Sequence, residues 1–495
     1  MQLGNAILRR LAFRPLRTVV VDDQRSWPAW QLWWTACHVA SAIERATTAD
    51  RVGIMLPTSG LFPAATLGAW MAGRTCVPLN YLFTPQDMEH VCRDASIDCC
   101  ITVDPMLEFT KGLPAGVRAL RMEDLPVKSL PRPRCCVPSR VDRLALLLYT
   151  SGTSGRPKGV MLTEDNLWAN VRQVRDWAGF GSHDVVLGVL PQFHSFGFTV
   201  LTMMPLAVGA KAVYTARFMP KRIVDLAVRH GPTALVAIPS MYNALRAVKD
   251  APKGAFSSLR FAVSGGEPLP QSVSDGFHDA FGVRIAEGYG LTETSPVVSW
   301  CLPHEYRWKS VGRPLDGVQF LIADADGQPV PQGHDGEIRI KGPNVMKGYF
   351  NLPNETAAAF DAEGWFRTGD QGRLDADGHL SITGRIKEML IIGGENVFPR
   401  EIEEVLNRHE SVKDSAVIGM SDGMRGEVAL AFVELKEGAA FSEAALKSFC
   451  REHIAGFKVP REIRVLKELP RNPTGKIMRR KLTPETPSES AANAG

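Results

Sequence analysis

No uninterrupted apolar run in this 495-residue chain approaches the ~18 residues that a membrane-spanning helix requires. The nearest stretch, Phe196 to Ala210, is broken by Gly197, Thr199, Thr202, Pro205 and Gly209. Cysteine is sparse: nine residues, at 37, 76, 92, 99, 100, 135, 136, 301 and 450, with no Cys-x-x-Cys pair and no Cys/His ligand spacing. That excludes a zinc module and, the count being odd, a complete disulfide framework; it predicts reduced thiols and a cytoplasmic protein. Net charge is also small, +4, so a nucleic-acid partner is not implied. The basic N-terminus, MQLGNAILRRLAFRPLR, lacks the apolar core and small-residue cleavage site of a secretory signal, leaving open only a weak amphipathic targeting role. There is no Gly-Lys-Ser/Thr P-loop around the glycine-rich segment at 150–160. The Gly288-x-Gly290 pair lacks the third glycine of a dinucleotide fingerprint.

What is present is the balance of a large soluble core, 45% apolar and 22% charged, over a length that suggests about three units. From residue 15 to 110 and again from 144 to 300, apolar strands alternate with helical patterns, which predicts crossover units and parallel sheets. Ser26-Trp27-Pro28 is read as a helix start running to about Arg45. Its stripe of Trp30, Trp33, Trp34, Cys37 and Ala40 is expected to face the core. Pro126–Pro138 reads as a surface linker. Between Gly312 and Ile382, short strands and Asp/Gly turns predict an antiparallel or barrel-like subdomain. From Met389 onward a strand, helix, strand, strand, helix order predicts a small α+β domain, and residues 485–495 a disordered tail.

Tyr149–Val160, YTSGTSGRPKGV, carries the first chemistry. Glycines let successive N–H groups point one way, hydroxyls at Thr150, Ser151, Thr153 and Ser154 add donors, and Lys158 supplies charge, a cradle suited to a polyphosphate. A flexible Ser/Gly surface loop is the plainer alternative. Ser264-Gly265-Gly266-Glu267 closes a predicted strand, at the end where α/β sheets bind ligands.

Taken together, YTSGTSGRPKGV, PQFHSFGF, EGYGLTETSP, GWFRTGD, GRIKEMLIIGGENVFPREIE and PRNPTGKIMRRKL, in that order, resemble the AMP-forming acyl-CoA synthetases of the adenylate-forming superfamily, over about Ser26 to Leu482. The resemblance implies an α/β fold: a large N-terminal domain (1–384) of parallel α/β subdomains plus a barrel-like β subdomain, a hinge (385–387), and a small mobile α+β C-terminal domain (388–484). It implies two half-reactions. A carboxylate attacks the α-phosphorus of ATP, releasing pyrophosphate; the thiol of coenzyme A then displaces AMP.

By the same resemblance, Thr150, Ser151, Gly152, Thr153, Ser154, Gly155 and Lys158 hold the β- and γ-phosphates. Glu293 ligates Mg²⁺, and Thr292 donates to the α-phosphate. Gly265, Gly266, Glu267 and Tyr289 frame adenine, while Asp370 and Arg385 bind the ribose. Lys476 meets the carboxylate and α-phosphate, where a cation offsets the repulsion of two anions. Lys387 is the hinge, and Gly393-Gly394-Glu395 lines the pantetheine channel. Glu287 stands where many relatives carry Gln or Asn. Phe193-His194-Ser195-Phe196 holds no aspartate, which argues against an amino-acid substrate; His194 borders the acyl pocket. The expected walls, His194, Phe196, Ala237, Met241, Gly265, Gly290 and Pro296, suit a medium- or long-chain fatty acid. Aryl acids, an acyl-carrier-protein acceptor, a luciferase-like oxygenase and a non-catalytic nucleotide-binding relative are the competing readings; any membrane contact is at most peripheral.

Overall fold

The computed structural model describes residues 3–138, 144–151, 156–392, 395–422, 426–471 and 475–488. Gly152, Thr153, Ser154, Gly155 and Gly394, together with residues 489–495 of the expected tail, lie outside the described residues. The chain forms two compact units. The first takes the chain up to Gly266 with Gly276–Phe320 and Ile340–Phe366; the second takes Glu267–Asp275, Leu321–Arg339 and the chain from Arg367 on.

The first unit contains two mainly parallel sheets. One runs, in spatial order, Arg313–Pro314, Val297–Trp300, Ile285–Gly290, Phe261–Ser264, Ala234–Ala237, Val185–Gly188, Lys211–Tyr214, Thr18–Val21, Ser26–Pro28. Neighbours from Ile285–Gly290 through Thr18–Val21 are parallel. Strands such as Ala234–Ala237 and Phe261–Ser264 are buried at every position, which is why they read as continuous apolar runs rather than alternating ones. The second sheet is ordered Gly348–Tyr349, Pro157–Thr163, Leu144–Ser151, Thr75–Pro78, Arg51–Met55, Cys99–Thr102, Arg118–Arg121. Thr163 caps the helix Glu164–Ala178 through a reciprocal capping box with Asn166.

Two local expectations change. Ser26–Pro28 is an edge strand and not a helix cap, because Trp27 pairs with Val20 and its indole donates to Asp22 at 2.7 Å; the helix begins at Ala29. The tryptophan stripe is only partly inward, since Trp30 stays 43% exposed. The interrupted apolar stretch is a buried helix whose middle, Thr199–Met203, is a π-turn. Side chains satisfy the backbone there: Thr202 donates to the Gly197 carbonyl at 2.7 Å and Tyr214 to that of Leu201 at 2.9 Å. Among the described residues no helix is long and apolar enough to cross a membrane.

Strands Gln319–Ala323, Gly336–Lys341, Phe366–Leu374 and Leu380–Arg385, most of whose residues belong to the second unit, form an open four-stranded sheet; of the antiparallel or barrel-like expectation, the last two strands are antiparallel and no barrel closes. The C-terminal sheet centres on Gly426–Leu435, flanked antiparallel by Val412–Asp422 and parallel by Glu462–Leu466. Helices Pro399–Leu406 and Glu443–His453 close its core through Ile402, Leu406, Leu446 and Cys450. Residues 485–488 are tied down rather than disordered: Arg464 donates to the Pro484 and Thr486 carbonyls, each at 2.6 Å.

Candidate active site

The glycine-rich motif is flanked by two antiparallel strands. Strand Leu144–Ser151 returns as Pro157–Thr163 with Thr150 opposite Lys158, so both motif ends are held by a ladder rather than lying in a loose loop. Lys158 forms an ion pair with Glu355 and lies 5.5 Å from the ring centroid of Tyr349. The Tyr349 hydroxyl in turn donates to Glu293 Oε1 at 2.8 Å. Burial, with Glu293 and Glu355 nearby, pushes the Tyr349 hydroxyl well above its ordinary range, so it stays a donor. The phosphate-binding candidate and the metal-binding candidate are thus two contacts apart.

Glu293 sits in the single turn Thr292–Thr294 that follows strand Ile285–Gly290. A buried polar lattice fixes the turn. Asn344 donates to the Thr294 carbonyl at 2.8 Å, Ser295 to the Asn344 carbonyl at 2.8 Å, and Asn170 to the Val297 carbonyl at 2.6 Å. Gly290 cannot be replaced without moving backbone, since an added Cβ would lie 1.9 Å from the Pro296 carbonyl oxygen. Thr292 donates to Ser195 Oγ at 3.2 Å, which joins this turn to the PQFHSFGF segment. There His194 is exposed and caps the short helix Ser195–Phe198, its Nδ1 accepting from the Phe196 N–H at 3.4 Å. Phe196 lies against Gly265, where an added Cβ would stand 2.9 Å from the ring. Gly266 has φ +84°, a left-handed turn that glycine adopts without strain. Tyr289 is buried on the neighbouring strand.

Four of the quoted motifs therefore meet at the carboxyl ends of parallel strands, the position where α/β sheets bind ligands. Among the described residues no group of three or more His, Cys, Asp or Glu could hold a metal alone. One half-buried carboxylate, Glu293, beside a polyphosphate cradle fits Mg²⁺, which takes few protein carboxylates and completes its shell with phosphate oxygens and water.

The second unit gathers the remaining candidates. Asp370 and Arg385 face each other across paired strands, and Arg385 Nε donates to Asp370 Oδ1 at 2.8 Å. Asp370 is buried and its turn is fixed, Thr368 Oγ1 accepting from its N–H at 3.0 Å while Gly369 takes φ +68°. Lys476 keeps solvent contact, yet protein surrounds it closely enough that desolvation, with Arg385 adding repulsion, lowers its pKa from the ordinary lysine value; Glu267, Glu388 and Asp370 act in the opposite sense. Glu267 shares this cluster, and desolvation raises its pKa despite Lys476. Lys387 is exposed in the single-turn connector Ile386–Glu388.

Tyr349, Glu355 and Asn344 belong to these arrangements, and the sequence alone gives them no role. Tyr349 is in a short strand, Glu355 in a short helix and Asn344 in a turn, and no local spacing marks any of them; only the contact partner does.

The AMP-binding enzyme family matches residues 8–350, and the AMP-binding enzyme C-terminal domain matches residues 401–476. A sulfoacetate–CoA ligase of Cupriavidus necator is 36% identical over 445 residues, covering 87% of this chain and 86% of the relative. A long-chain-fatty-acid–CoA ligase of Bacillus subtilis is 33% identical, covering 88% and 85%. Among solved structures, a benzoate CoA ligase from Burkholderia xenovorans aligns with a TM-score of 0.88 at 28% identity, covering 97% of this chain and 99% of that one.

Proposed function

The chain belongs to the AMP-forming acyl-CoA synthetases of the adenylate-forming superfamily, and on that premise we propose that it activates a medium- or long-chain fatty acid. Enzymes of this class join a carboxylic acid to coenzyme A at the expense of ATP, with Mg²⁺. The relatives above act on a sulfonated acid, a long aliphatic acid and an aryl acid, so the family does not choose among them.

The observation that carries the choice is the character of the wall around Gly265. Phe196 packs on it, and the other expected lining residues, His194, Ala237, Met241, Gly290 and Pro296, bring one imidazole and no Lys or Arg to pair a second anionic group. Desolvating a sulfonate there without a partner is costly, whereas an alkyl chain gains on burial. An aryl acid is the second reading, favoured by the flat face that Phe196 offers. ATP–pyrophosphate exchange across octanoate, dodecanoate, hexadecanoate, benzoate, coumarate and sulfoacetate is expected to be fastest with an alkanoate. A clear preference for sulfoacetate or an aryl acid would overturn the choice. Repeating the assay with coenzyme A and with acyl carrier protein is expected to give thioester only with the former.

We assign the residues the following roles, which their positions support. The hairpin ends and Lys158 bind and orient the triphosphate. Mg²⁺, when bound at Glu293, neutralises charge on the phosphate oxygens. Tyr349 fixes the Glu293 carboxylate, and Thr292, tied to Ser195, presents a donor beside it. Asp370 with Arg385 holds the ribose. Lys476 brings a cation to the point where carboxylate and α-phosphate meet, and His194 stands at the acyl entrance. For the thioester half we retain a pivot at Lys387, supported by its exposed connector, with 1–384 and 388–484 as the moving parts. Nine free cysteines, two of them exposed, support a reducing, cytoplasmic setting.

Glu293→Gln is expected to slow pyrophosphate exchange by roughly 10²-fold, the scale of losing one preorganised electrostatic contact, and to raise the Mg²⁺ concentration for half-maximal rate. An unchanged Mg²⁺ dependence would count against Glu293 as the ligand.

A further inference from the structure

Helix Pro85–Asp94 buries Met88, Val91 and Cys92, which is the face that folding requires of it. His90 and Asp94 stand one turn apart beside that face, both half-buried. Each reaches one of the two strands that flank the glycine-rich motif. His90 Nε2 donates to the Pro157 carbonyl at 3.2 Å, at the start of the returning strand. Asp94 Oδ2 accepts from the Tyr149 hydroxyl at 2.5 Å, near the end of the outgoing strand and next to Thr150. Burial and Asp94 push the Tyr149 hydroxyl above its ordinary range, with Arg51 acting in the opposite sense, so it stays a donor.

The same carboxylate has a second arm. Asp94 Oδ1 accepts from Asn351 Nδ2 at 3.1 Å. Asn351 takes φ +55°, a left-handed turn that asparagine tolerates better than most residues. It closely follows the short strand Gly348–Tyr349, which pairs with Pro157–Thr163 and carries the tyrosine that donates to Glu293. Little slack separates these segments. The Phe350 N–H donates to the Gly159 carbonyl at 2.7 Å. A Cβ added to Gly159 would lie 3.0 Å from the Tyr149 ring and 3.3 Å from Phe350 Cβ. One oxygen of Asp94 thus holds the entry to the glycine-rich motif, and the other holds the segment that fixes Glu293.

Folding alone does not ask for a carboxylate at this position. Asp94 is the last residue of its helix, where the free carbonyls make the negative end of the dipole and an anion is disfavoured. What it supplies there is two acceptor oxygens for two donors, each bond strengthened by its charge. An amide offers only one acceptor oxygen and sets its own N–H groups toward the other donor.

We propose that Asp94, with His90 one turn before it, is a positioning residue for adenylation: through Tyr149 and Asn351 it sets the spacing between the triphosphate-binding motif and the Mg²⁺ carboxylate Glu293. The proposal rests on the reading of that motif as the triphosphate site and of Glu293 as the metal ligand.

The test compares the two half-reactions in the full chain. Thioester formation from supplied acyl-adenylate and coenzyme A handles no triphosphate, so a positioning role splits the two. Asp94→Asn is expected to raise the KM for ATP in pyrophosphate exchange roughly tenfold and the half-maximal Mg²⁺ concentration roughly threefold, with thioester formation within about twofold of wild type. Tyr149→Phe keeps the ring against Gly159 and is expected to raise the KM about fivefold. Combined with Asp94→Asn it should add almost nothing, since both remove the same bond. Fully additive effects would overturn the proposal. Equal loss of both half-reactions with a lowered urea midpoint in each variant would also overturn it, because the contacts would then serve the fold only. A KM for ATP that responds to Lys158→Ala but not to Asp94→Asn would do the same and leave the triphosphate reading standing. No response to either variant would remove that reading, and this proposal with it.

Discussion

Lys476→Ala is expected to lower ATP–pyrophosphate exchange by about 10²- to 10³-fold while thioester formation from supplied acyl-adenylate stays near wild type. In adenylation, two anions approach and charge grows on the phosphoryl oxygens; a preorganised cation removed from such a site costs about 3–4 kcal/mol of transition-state stabilisation. The surroundings of Lys476 fit that task. Glu267, Glu388 and Asp370 attract the ammonium, while desolvation, the larger effect, and Arg385 lower its pKa. The sign of the pH effect follows. The reaction needs the charged form, so exchange should fall as pH rises through the lowered pKa, earlier than an ordinary lysine would allow. Lys476→Arg should remove that alkaline limb even if its rate is reduced. Equal loss of both half-reactions in Lys476→Ala would show a structural role and sink the assignment.

The site was legible where chemistry is written in consecutive residues and illegible where it is written in contacts. Glycine-rich turns, Thr292-Glu293 and Asp370 announce themselves because a left-handed turn or a strand end needs particular residues at particular spacings. Tyr349 and Glu355 do not, although they connect Lys158 to Glu293; a tyrosine near a turn is common, and only the folded hairpin reveals its partner. Fold followed the same division. Buried runs such as Ala234–Ala237 were read correctly because a parallel sheet asks only for apolar residues. Ser26-Trp27-Pro28 was misread because a cap signal lost to strand pairing and to the Asp22–Trp27 hydrogen bond. The strand Glu462–Leu466 went unread, its alternating charges hiding Ile463 and Leu466. The tryptophan stripe followed helical spacing, but spacing does not say which side of a helix is covered.

Glu403→Gln is expected to destabilise the C-terminal part of the second unit by about 3 kcal/mol, read as a lowered urea midpoint. Glu403 is buried on helix Pro399–Leu406, and both its oxygens are used: Arg479 donates to it at 2.8 and 2.5 Å, and the Val417 N–H at 2.8 Å. Desolvation works against the Arg479 charge, but attraction and hydrogen bonding to Glu403, with Glu388 adding, outweigh it and hold the guanidinium firmly protonated. An amide in place of the carboxylate leaves that cation with Glu388, 3.2 Å away, and the weaker attraction of Glu267. The figure sits at the low end for a broken buried pair because the Arg479 side chain keeps 25% exposure. The consequence reaches the chemistry, since Arg479 opens the turn Arg479–Lys481 just after Lys476 and is its anchor to the helix. Pyrophosphate exchange should therefore fall more than stability alone predicts at temperatures where the variant is folded. Glu403→Leu combined with Arg479→Met separates the two effects: burying apolar groups in place of the pair is expected to recover much of the urea midpoint, less the cost of the Val417 N–H that loses its acceptor, without restoring exchange. Recovery of both would mean that the ion pair serves the fold only, and an unshifted midpoint in Glu403→Gln would refute the anchor itself.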